Sequence, residues 1–240
     1  MKIKVCGMRD GKNIREVEAL GVDYIGMIFW DGSPRNVTMV PTHAGIIPDR
    51  APAPLSSPEG DTLACCQGRK APSGAVGGAS FVGVFVDEMP QSIITRVVNF
   101  QLDVVQMHGH ESPTVIRNLR ATLDPDIRPG IQFWKAVSIA SADDLTACEQ
   151  YFNCVDAFVF DTRCDSVGGS GRQFDWQLLE AYHGPVPFLL SGGIGPDDAA
   201  RVKAFHHPQC IGIDLNSRFE TAPAVKDVGL LRSFLQQVGA

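Results

Sequence analysis

The sequence predicts an α/β protein built as one closed (β/α)8 TIM barrel over residues 1–240. Eight short apolar runs alternate with helix-period segments along the chain, and several of these runs are apolar on both faces. Strands buried on both faces are typical of parallel sheets that helices cover. Eight such strands alternating with helices indicate a closed barrel, a fold of ~250 residues.

The predicted strands are short and rich in Val, Ile and Phe. In chain order they span residues 2–6, 24–29, 81–86, 104–107, 134–137, 157–161, 188–191 and 211–215.

Cap residues and apolar stripes indicate the helices between these strands. The predicted starts are a capping box at Asn13 and Glu16, Ser112 followed by Pro113, and Ser141 with Asp144. Gly21 is a predicted helix stop. The predicted buried stripes are Ile93, Ile94, Val97 and Val98 in one helix and Leu230, Leu231, Phe234, Leu235 and Val238 in the last.

One segment departs from this alternation. From Thr42 to Ser80 the chain is crowded with Pro, Gly and Ser, and no helical apolar stripe is visible. The alternation requires a helix between the second and third strands. We therefore predict an irregular excursion over residues 42–80, with the outer helix shortened or replaced.

Charge and cysteine content exclude several classes of protein. Lys and Arg total 21 against 27 Asp and Glu, a formal net charge of −6, so no nucleic-acid surface is expected. None of the seven cysteines forms a C-x-x-C pair, which argues against a zinc ribbon or a thioredoxin-like site. No apolar stretch approaches the ~18 residues of a membrane span. We expect a reduced, cytoplasmic protein without membrane contact.

Polar residues at the carboxyl ends of the strands are the candidate functional residues, because barrel enzymes place their chemistry there. Cys6 ends the first strand and Asp161 the sixth, so closure can bring a thiol and a carboxyl to one rim. A free thiol has a pKa of ~8.5, and a catalytic one needs a site that lowers it. The alternative, a buried small side chain at Cys6 and a helix cap at Asp161, stays open.

Glycine-rich segments near the last strands predict a phosphate site. Residues 191–196, with Gly192 and Gly193, follow the seventh strand, and residues 212–217 span the eighth. Glycines at these places let backbone amides approach a phosphate. Residues 168–171, Gly-Gly-Ser-Gly, add a loop that can close on the same group. Tight turns without a ligand are the alternative interpretation.

Other polar residues near strand ends are less specific. Arg35 follows the second strand. Its planar guanidinium group can bind a carboxylate or phosphate of a ligand, and it can equally form a surface salt bridge. His108, His110 and Glu111 are metal-ligand types, yet no further cluster completes a coordination shell. We therefore predict no metal and interpret His108 as a cavity wall or loop anchor.

Motifs recur in a characteristic order at six strand ends. They are residues 4–8 (KVCGM), 26–29 with 33–35 (GMIF and SPR), 82–86 (VGVFV), 105–109 (VQMHG), 160–162 with 168–176 (FDT and GGSGRQFDW) and 190–194 (LSGGI). Together they resemble the phosphoribosylanthranilate isomerase family. The resemblance covers nearly the whole chain except residues 42–80.

The resemblance implies an isomerase of tryptophan biosynthesis that uses neither a cofactor nor a metal. The implied reaction is the Amadori rearrangement of N-(5-phosphoribosyl)anthranilate to 1-(2-carboxyphenylamino)-1-deoxyribulose 5-phosphate. By position, Cys6 matches the general base, Asp161 the general acid and Arg35 the partner of the anthranilate carboxylate. The other expected substrate-binding residues are Gly169, Gly192, Gly193, Asp214, Asn216 and Ser217.

The sequence departs from the family pattern after the eighth strand as well as in the excursion. Residues 216–220 read Asn-Ser-Arg-Phe-Glu where many relatives have Ser-Ser-Gly-Val-Glu. Arg218 lacks the backbone freedom of glycine, so this turn is expected to differ, and its side chain is a further candidate for the phosphate.

Two other functions stay open. One is a histidine-pathway isomerase, which performs the same chemistry. That family looks like one that uses two catalytic carboxylates and a substrate with two phosphate groups, whereas the first strand here ends in Cys6. A non-catalytic phosphate-binding barrel does not need Cys6, Arg35 and Asp161 together, and all three are present. We expect a phosphorylated small molecule as the partner, and either a monomer or a homodimer.

Overall fold

Parallel strands closed into a barrel form the centre of the protein in a computed structural model that describes residues 1–38, 78–161 and 176–239. The strands are β1 (Lys2–Val5), β2 (Tyr24–Phe29), β3 (Ser80–Phe85), β4 (Val104–Met107), β5 (Gln132–Ser138), β6 (Ala157–Asp161), β7 (Phe188–Ser191) and β8 (Cys210–Leu215). Each strand pairs in parallel with the next, and β8 pairs with β1, so that Lys4 lies opposite Asp214. The predicted barrel is confirmed, and β2, β4, β6 and β7 have the predicted bounds.

Helices cover the outside of the barrel. They are α1 (Gly11–Glu18), α2 (Pro90–Asn99), α3 (Pro113–Leu123), α4 (Ala142–Ala147), α5 (Ala199–Ala204) and α6 (Val228–Val238). A small antiparallel pair, β9 (Glu220–Ala222) and β10 (Val225–Lys226), lies between β8 and α6.

Most of the predicted helix signals are confirmed. Ser112 caps α3 by accepting a hydrogen bond from the Val115 amide, and Asp144 accepts one from the Ser141 amide at 2.8 Å before α4. The chain turns after α1 at Gly21, which has a φ of +82°. In α6 the predicted stripe faces the barrel, whereas in α2 Val98 is 55% exposed, contrary to prediction, because Ile93 and Val97 form the buried row.

The predicted capping box at Asn13 is wrong. Asp10 caps α1 instead, and its carboxylate accepts the Asn13 amide at 2.8 Å. The Asn13 side chain is buried and exchanges two hydrogen bonds with the backbone of Lys226, at 3.0 and 2.7 Å. Asn13 therefore joins α1 to β10, a long-range role that a local sequence pattern does not reveal.

The predicted excursion between β2 and β3 falls almost entirely outside the described residues. Its last residue, Ser80, belongs to β3 and pairs with Tyr24. The two strands that flank the segment stay in register along their whole length, from Tyr24 opposite Ser80 to Phe29 opposite Phe85.

The barrel interior changes from apolar to polar along the strand direction. The apolar part consists of Val82, Val104, Trp134, Ala136, Ala157, Val159 and Leu189. Nearer the carboxyl ends lie three buried polar side chains, Lys4, Gln106 and Asp214. Since buried polar groups cost free energy unless they are paired, this polar region marks the part of the interior where a function is to be sought.

Candidate active site

A cavity of about 200 Å³ opens at the carboxyl ends of the strands. Seven of the nine predicted site residues line it, namely Cys6, Asp161, Gly192, Gly193, Asp214, Asn216 and Ser217. Arg35 lies beside the cavity without lining it, and Gly169 lies outside the described residues.

A larger cavity of about 610 Å³ lies between the barrel and two of its helices. Its walls include Met1, Val202, Phe205 and Val238, together with Cys210 at the start of β8. It does not contain the residues that the sequence selects for chemistry, and it lies toward the amino ends of the strands. The smaller cavity is therefore the candidate active site.

Cys6 follows β1 directly and is held in place by its neighbours. Its amide donates to the Leu215 carbonyl at 2.8 Å, and only 4% of the residue is exposed. The thiol packs over Gly26, where a Cβ atom would lie 2.7 Å from Sγ. Burial raises the pKa of the Cys6 thiol, whereas the positive charges of Lys4 and Lys226 act to lower it.

Asp214 forms a buried ion pair with Lys4 beside this thiol. The Lys4 ammonium donates to Oδ2 of Asp214 at 2.8 Å, and the side chains are 0% and 7% exposed. Burial raises the pKa of Asp214, while the charge of Lys4 acts against that rise. The second oxygen, Oδ1, is buried and has no hydrogen-bond partner in the described structure.

Asp161 ends β6 on the other side of the cavity. Its backbone pairs with Ser138 of β5 and Ser191 of β7, and its carbonyl accepts the Ile139 amide at 3.0 Å. The half-buried side chain lines the same cavity as Cys6. Barrel closure therefore does bring the thiol and the carboxyl to one rim, as expected from the strand ends.

The Gly192–Gly193 loop follows β7 and has a backbone that favours glycine. Both residues have positive φ, +93° and +66°, and a Cβ atom on Gly193 would meet no atom within 4 Å. The Gly195 amide is already bound to Asp198 Oδ2 at 2.8 Å. The loop thus presents main chain to the cavity, which is the arrangement suited to an anion.

Arg218 is accommodated in the turn after β8 without backbone strain. Residues Ser217–Phe219 form a 3-10 turn, and Arg218 is not among the described residues with positive φ. Its side chain lines the cavity, and its Cβ and Cγ lie over Gly195. The expected departure from the family turn therefore adds a cation next to the Gly192–Gly193 loop.

Arg35 is engaged by a carboxylate of the protein. Its Nε donates to Oε1 of Glu220 at 2.8 Å and its Nη2 to Oε2 at 2.6 Å. Buried Lys226 donates to the same carboxylate at 2.6 Å and to Asn216 Oδ1 at 2.8 Å. Burial alone raises the pKa of Glu220, but the hydrogen bonds from Arg35 and Lys226 hold it below its ordinary value.

Gln106 is one of the polar residues near the strand ends, but the sequence analysis assigned it no role. It is 1% exposed, lines the cavity, and its Oε1 has no hydrogen-bond partner in the described structure. His108 also lines the cavity, as predicted, and burial lowers its pKa. The inward position of Gln106 follows from its spacing of two residues from His108, which directly follows β4, and the sequence did contain this signal.

The other metal-ligand types near His108 have partners within the protein. Glu111 is buried and accepts from Lys135 at 3.2 Å, and its carboxylate also accepts the Asp87 amide at 2.9 Å. His110 is exposed and contacts Asp87 at 3.0 Å. Within residues 1–38, 78–161 and 176–239, no group of acidic, His and Cys side chains is arranged to hold a metal ion.

None of the described helices is long and apolar enough to cross a membrane.

These features define a class of protein: a (β/α)8 barrel with a thiol and a carboxyl facing one cavity beside a glycine-rich loop. The model of the N-(5'-phosphoribosyl)anthranilate isomerase family matches residues 69–237. The chain belongs to this family, whose members are isomerases of tryptophan biosynthesis that act on N-(5'-phosphoribosyl)anthranilate.

Individual relatives agree with the family assignment. The chain is 39% identical to N-(5'-phosphoribosyl)anthranilate isomerase of Parabacteroides distasonis over 238 residues, 99% of this chain and 93% of the relative. It is 32% identical to that of Zymomonas mobilis over 240 residues, 99% and 98% of the two chains.

Solved structures of the same fold are also similar. Phosphoribosyl anthranilate isomerase from Thermus thermophilus superposes with a TM-score of 0.72 at 22% identity, covering 100% of this chain and 98% of that one. A structure of such an isomerase in complex with reduced 1-(o-carboxyphenylamino)-1-deoxyribulose 5-phosphate gives 0.68 at 20% identity, covering 100% and 98%.

Proposed function

We propose that Cys6 is the general base and Asp161 the general acid of the Amadori rearrangement of N-(5'-phosphoribosyl)anthranilate. The observation that carries this assignment is that a thiol and a carboxyl line the same cavity, together with the glycine loop. A related isomerase binds the reduced form of the aminodeoxyribulose phosphate that this reaction produces, which supports the same chemistry here.

The two groups suffice for the proton transfers of the reaction. Asp161 protonates the ribose ring oxygen, and the ring opens to a protonated Schiff base. Cys6, as thiolate, then removes the C2 proton, which gives an enolamine that tautomerises to the ketose. Each positioned proton transfer typically contributes about 10²–10⁴-fold to the rate.

The phosphate of the substrate binds at the loops that follow β7 and β8. Gly192 and Gly193 supply main chain to this site, and Asn216 and Ser217 line the adjoining part of the cavity. Arg218 adds a charged side chain. Gly169, which lies outside the described residues, remains an expected member of this site.

Polar groups at the floor and edge of the cavity bind the rest of the substrate. Asp214 Oδ1 and Gln106 Oε1 are buried acceptors without partners in the described structure, and the pentose hydroxyl groups supply donors for them. Arg35 binds the anthranilate carboxylate while Glu220 fixes its orientation. The salt-bridge interpretation of Arg35 is thus compatible with a role in binding.

The decisive experiment follows the anthranilate-type fluorescence of freshly generated substrate with wild type, Cys6→Ala and Asp161→Asn. We expect fast consumption by wild type and a loss of about 10³-fold or more in each variant. Binding of the reduced product analogue by both variants keeps folding and recognition separate from turnover. Equal decay in all samples at the spontaneous rate, with the analogue still bound, contradicts the catalytic assignment and supports a phosphate-binding barrel.

Residues 1–240 form one domain, and the protein is a monomer or a homodimer in the cytoplasm. The four described cysteines, Cys6, Cys148, Cys154 and Cys210, are free, which suits a reducing compartment. One of the similar solved structures is of monomers generated from the dimeric phosphoribosylanthranilate isomerase of Thermotoga maritima. Light scattering after size exclusion distinguishes the two assemblies, and a mass other than that of one or two chains contradicts this part of the proposal.

A further inference from the structure

A buried ammonium adjoins the proposed base and has no part in the steps above. Lys4 and Cys6 are two residues apart at the end of β1, so both side chains face the barrel interior. Lys4 is wholly buried, and its ammonium donates to Asp214 at 2.8 Å. Replacing a buried ion pair by apolar side chains is often neutral or stabilising, so stability alone is a weak reason for a lysine here.

The Lys4–Asp214 pair is also asymmetric. Asp214 uses one oxygen for Lys4 and leaves Oδ1 without a partner in the described structure. Only Val5 separates Lys4 from Cys6 along the chain, and Cys6 lines the same cavity as Asp214, so the ammonium lies near the thiol as well as the carboxylate. Its positive charge favours the charged form of each.

Other charged groups face the thiol from the surrounding elements. Lys226 of β10 and Arg35 after β2 are cations that act on Cys6, but both are bound to the carboxylate of Glu220. Asp214 opposes the negative charge of a thiolate.

Two further titratable groups, His108 and Asp161, line the same cavity. Burial lowers the pKa of His108, so its ring is neutral near pH 7. Of the influences that lower the pKa of Cys6, the charge of Lys4 is the largest, although burial of the thiol acts more strongly in the other direction.

We propose that Lys4, anchored by Asp214, is a positioning residue that holds a fixed positive charge against Cys6 and stabilises its thiolate. The inference rests on the proposed role of Cys6 as the base that removes the C2 proton. When the thiolate takes that proton, it becomes a neutral thiol, and Lys4 keeps its charge and its bond to Asp214. Lys4 thus acts on the rate through the fraction of Cys6 that is ionised before substrate binds.

The test measures the ionisation of Cys6 directly, without substrate. Wild type and Lys4→Met are alkylated with iodoacetamide across a pH series, and mass spectrometry follows the peptide that contains Cys6. We expect the midpoint of the reaction to rise by at least about one pH unit in Lys4→Met, with about tenfold slower alkylation below it. An unchanged midpoint overturns the proposal.

Lys135→Met is the matched control, because Lys135 is a second buried lysine paired with a carboxylate, Glu111, away from the thiol. Its Cys6 midpoint is expected to equal that of wild type. An equal upward shift in Lys135→Met contradicts the proposal, since it points to general damage from an unpaired carboxylate.

A double variant covers the case in which Lys4→Met does not fold. Lys4→Met/Asp214→Asn removes both charges of the pair, and because the effect of Lys4 on Cys6 exceeds that of Asp214, the midpoint is still expected to rise. A midpoint at or below that of wild type overturns the proposal.

Kinetics supply the second readout. In Lys4→Met the rising limb of the kcat/KM profile moves to higher pH by the same interval, so that raising the pH restores activity. Loss of activity that high pH does not restore indicates a merely structural lysine. If wild type itself shows no turnover, the proposed function fails while the alkylation result for Lys4 still stands.

Discussion

The carboxylate of Glu220 accepts three hydrogen bonds from the guanidinium of Arg35, at 2.8, 3.1 and 2.6 Å. The two residues are separated by 185 positions in the chain, and their pairing ties the segment after β2 to the segment after β8. Lys226 joins the same carboxylate at 2.6 Å. One acidic side chain therefore connects Arg35, which lies beside the cavity, to Lys226 of β10.

Neutralising Glu220 is expected to weaken substrate binding. In Glu220→Gln an NH2 group replaces one carboxylate oxygen. Arg35 therefore loses its two-point contact, and Lys226 loses its counter-charge. We expect KM to rise more than kcat falls, with a loss of about 1–3 kcal/mol in the free energy of unfolding. Steady-state kinetics and urea denaturation measure both. Glu16→Gln, which removes an exposed pair with Lys12, is the control, and equal effects in the two variants contradict the assignment.

His108 is expected to contribute to the loss of folding stability at acid pH. Burial lowers its folded pKa, so between its ordinary pKa of about 6.5 and the folded value the unfolded chain binds more protons. Stability is therefore lost as the pH falls from 7 to 5, by at most about 1.4 kcal/mol per unit from this group. His108→Gln is expected to lose less than wild type, whereas exposed His183→Gln should follow wild type. Parallel curves for all three proteins contradict the prediction.

A methyl group at Gly7 is expected to disturb the cavity. Gly7 has a φ of +75°, and a Cβ atom there would lie 2.6 Å from both Arg35 Cδ and Asn216 Oδ1. Gly7→Ala should lower the free energy of unfolding by more than the ~1–2 kcal/mol of a left-handed alanine, and activity should fall as well.

Gly21→Ala separates the two causes, because Gly21 has a φ of +82° and a Cβ atom there would meet no atom within 4 Å. It is expected to lose stability but keep wild-type activity. Equal losses of activity in Gly7→Ala and Gly21→Ala show that the contact with Arg35 and Asn216 does not matter.

Arg218 is expected to contribute to phosphate affinity. Because it is exposed at the mouth of the cavity, its charge is partly screened, and Arg218→Ala should raise KM by about two- to fivefold with little change in kcat. The effect should diminish at high salt. Arg232→Ala, on the exposed face of α6, is the control. A KM that stays at the wild-type value in low salt contradicts this contribution.

Much of the fold and part of the site follow from local sequence patterns. Cys6 and Asp161 lie at the carboxyl ends of strands that the apolar runs identify. A closed parallel barrel places the carboxyl ends of all its strands on one rim. The capping residues Ser112 and Ser141 are predictable for the same reason, since a helix start depends on neighbours within one turn.

The rest depends on contacts between distant parts of the chain. Lys4 is a polar residue in a strand, and its burial involves a partner, Asp214, that is reached only through the β1–β8 closure. Asn13 matches a cap pattern, yet the backbone of Lys226, far along the chain, decides its position. The orientation of Arg35 likewise depends on Glu220, which no short motif connects to it.

Deuterium at C2 of the substrate tests directly whether Cys6 removes the proton from that carbon. Single turnovers of C2-deuterated substrate are quenched at intervals, and the deuterium released to water is measured for wild type, Cys6→Ala and Lys135→Met. We expect release with a primary isotope effect in wild type and Lys135→Met, and about 10³-fold slower release in Cys6→Ala. Release from Cys6→Ala at the wild-type rate contradicts the assignment of Cys6 as the base.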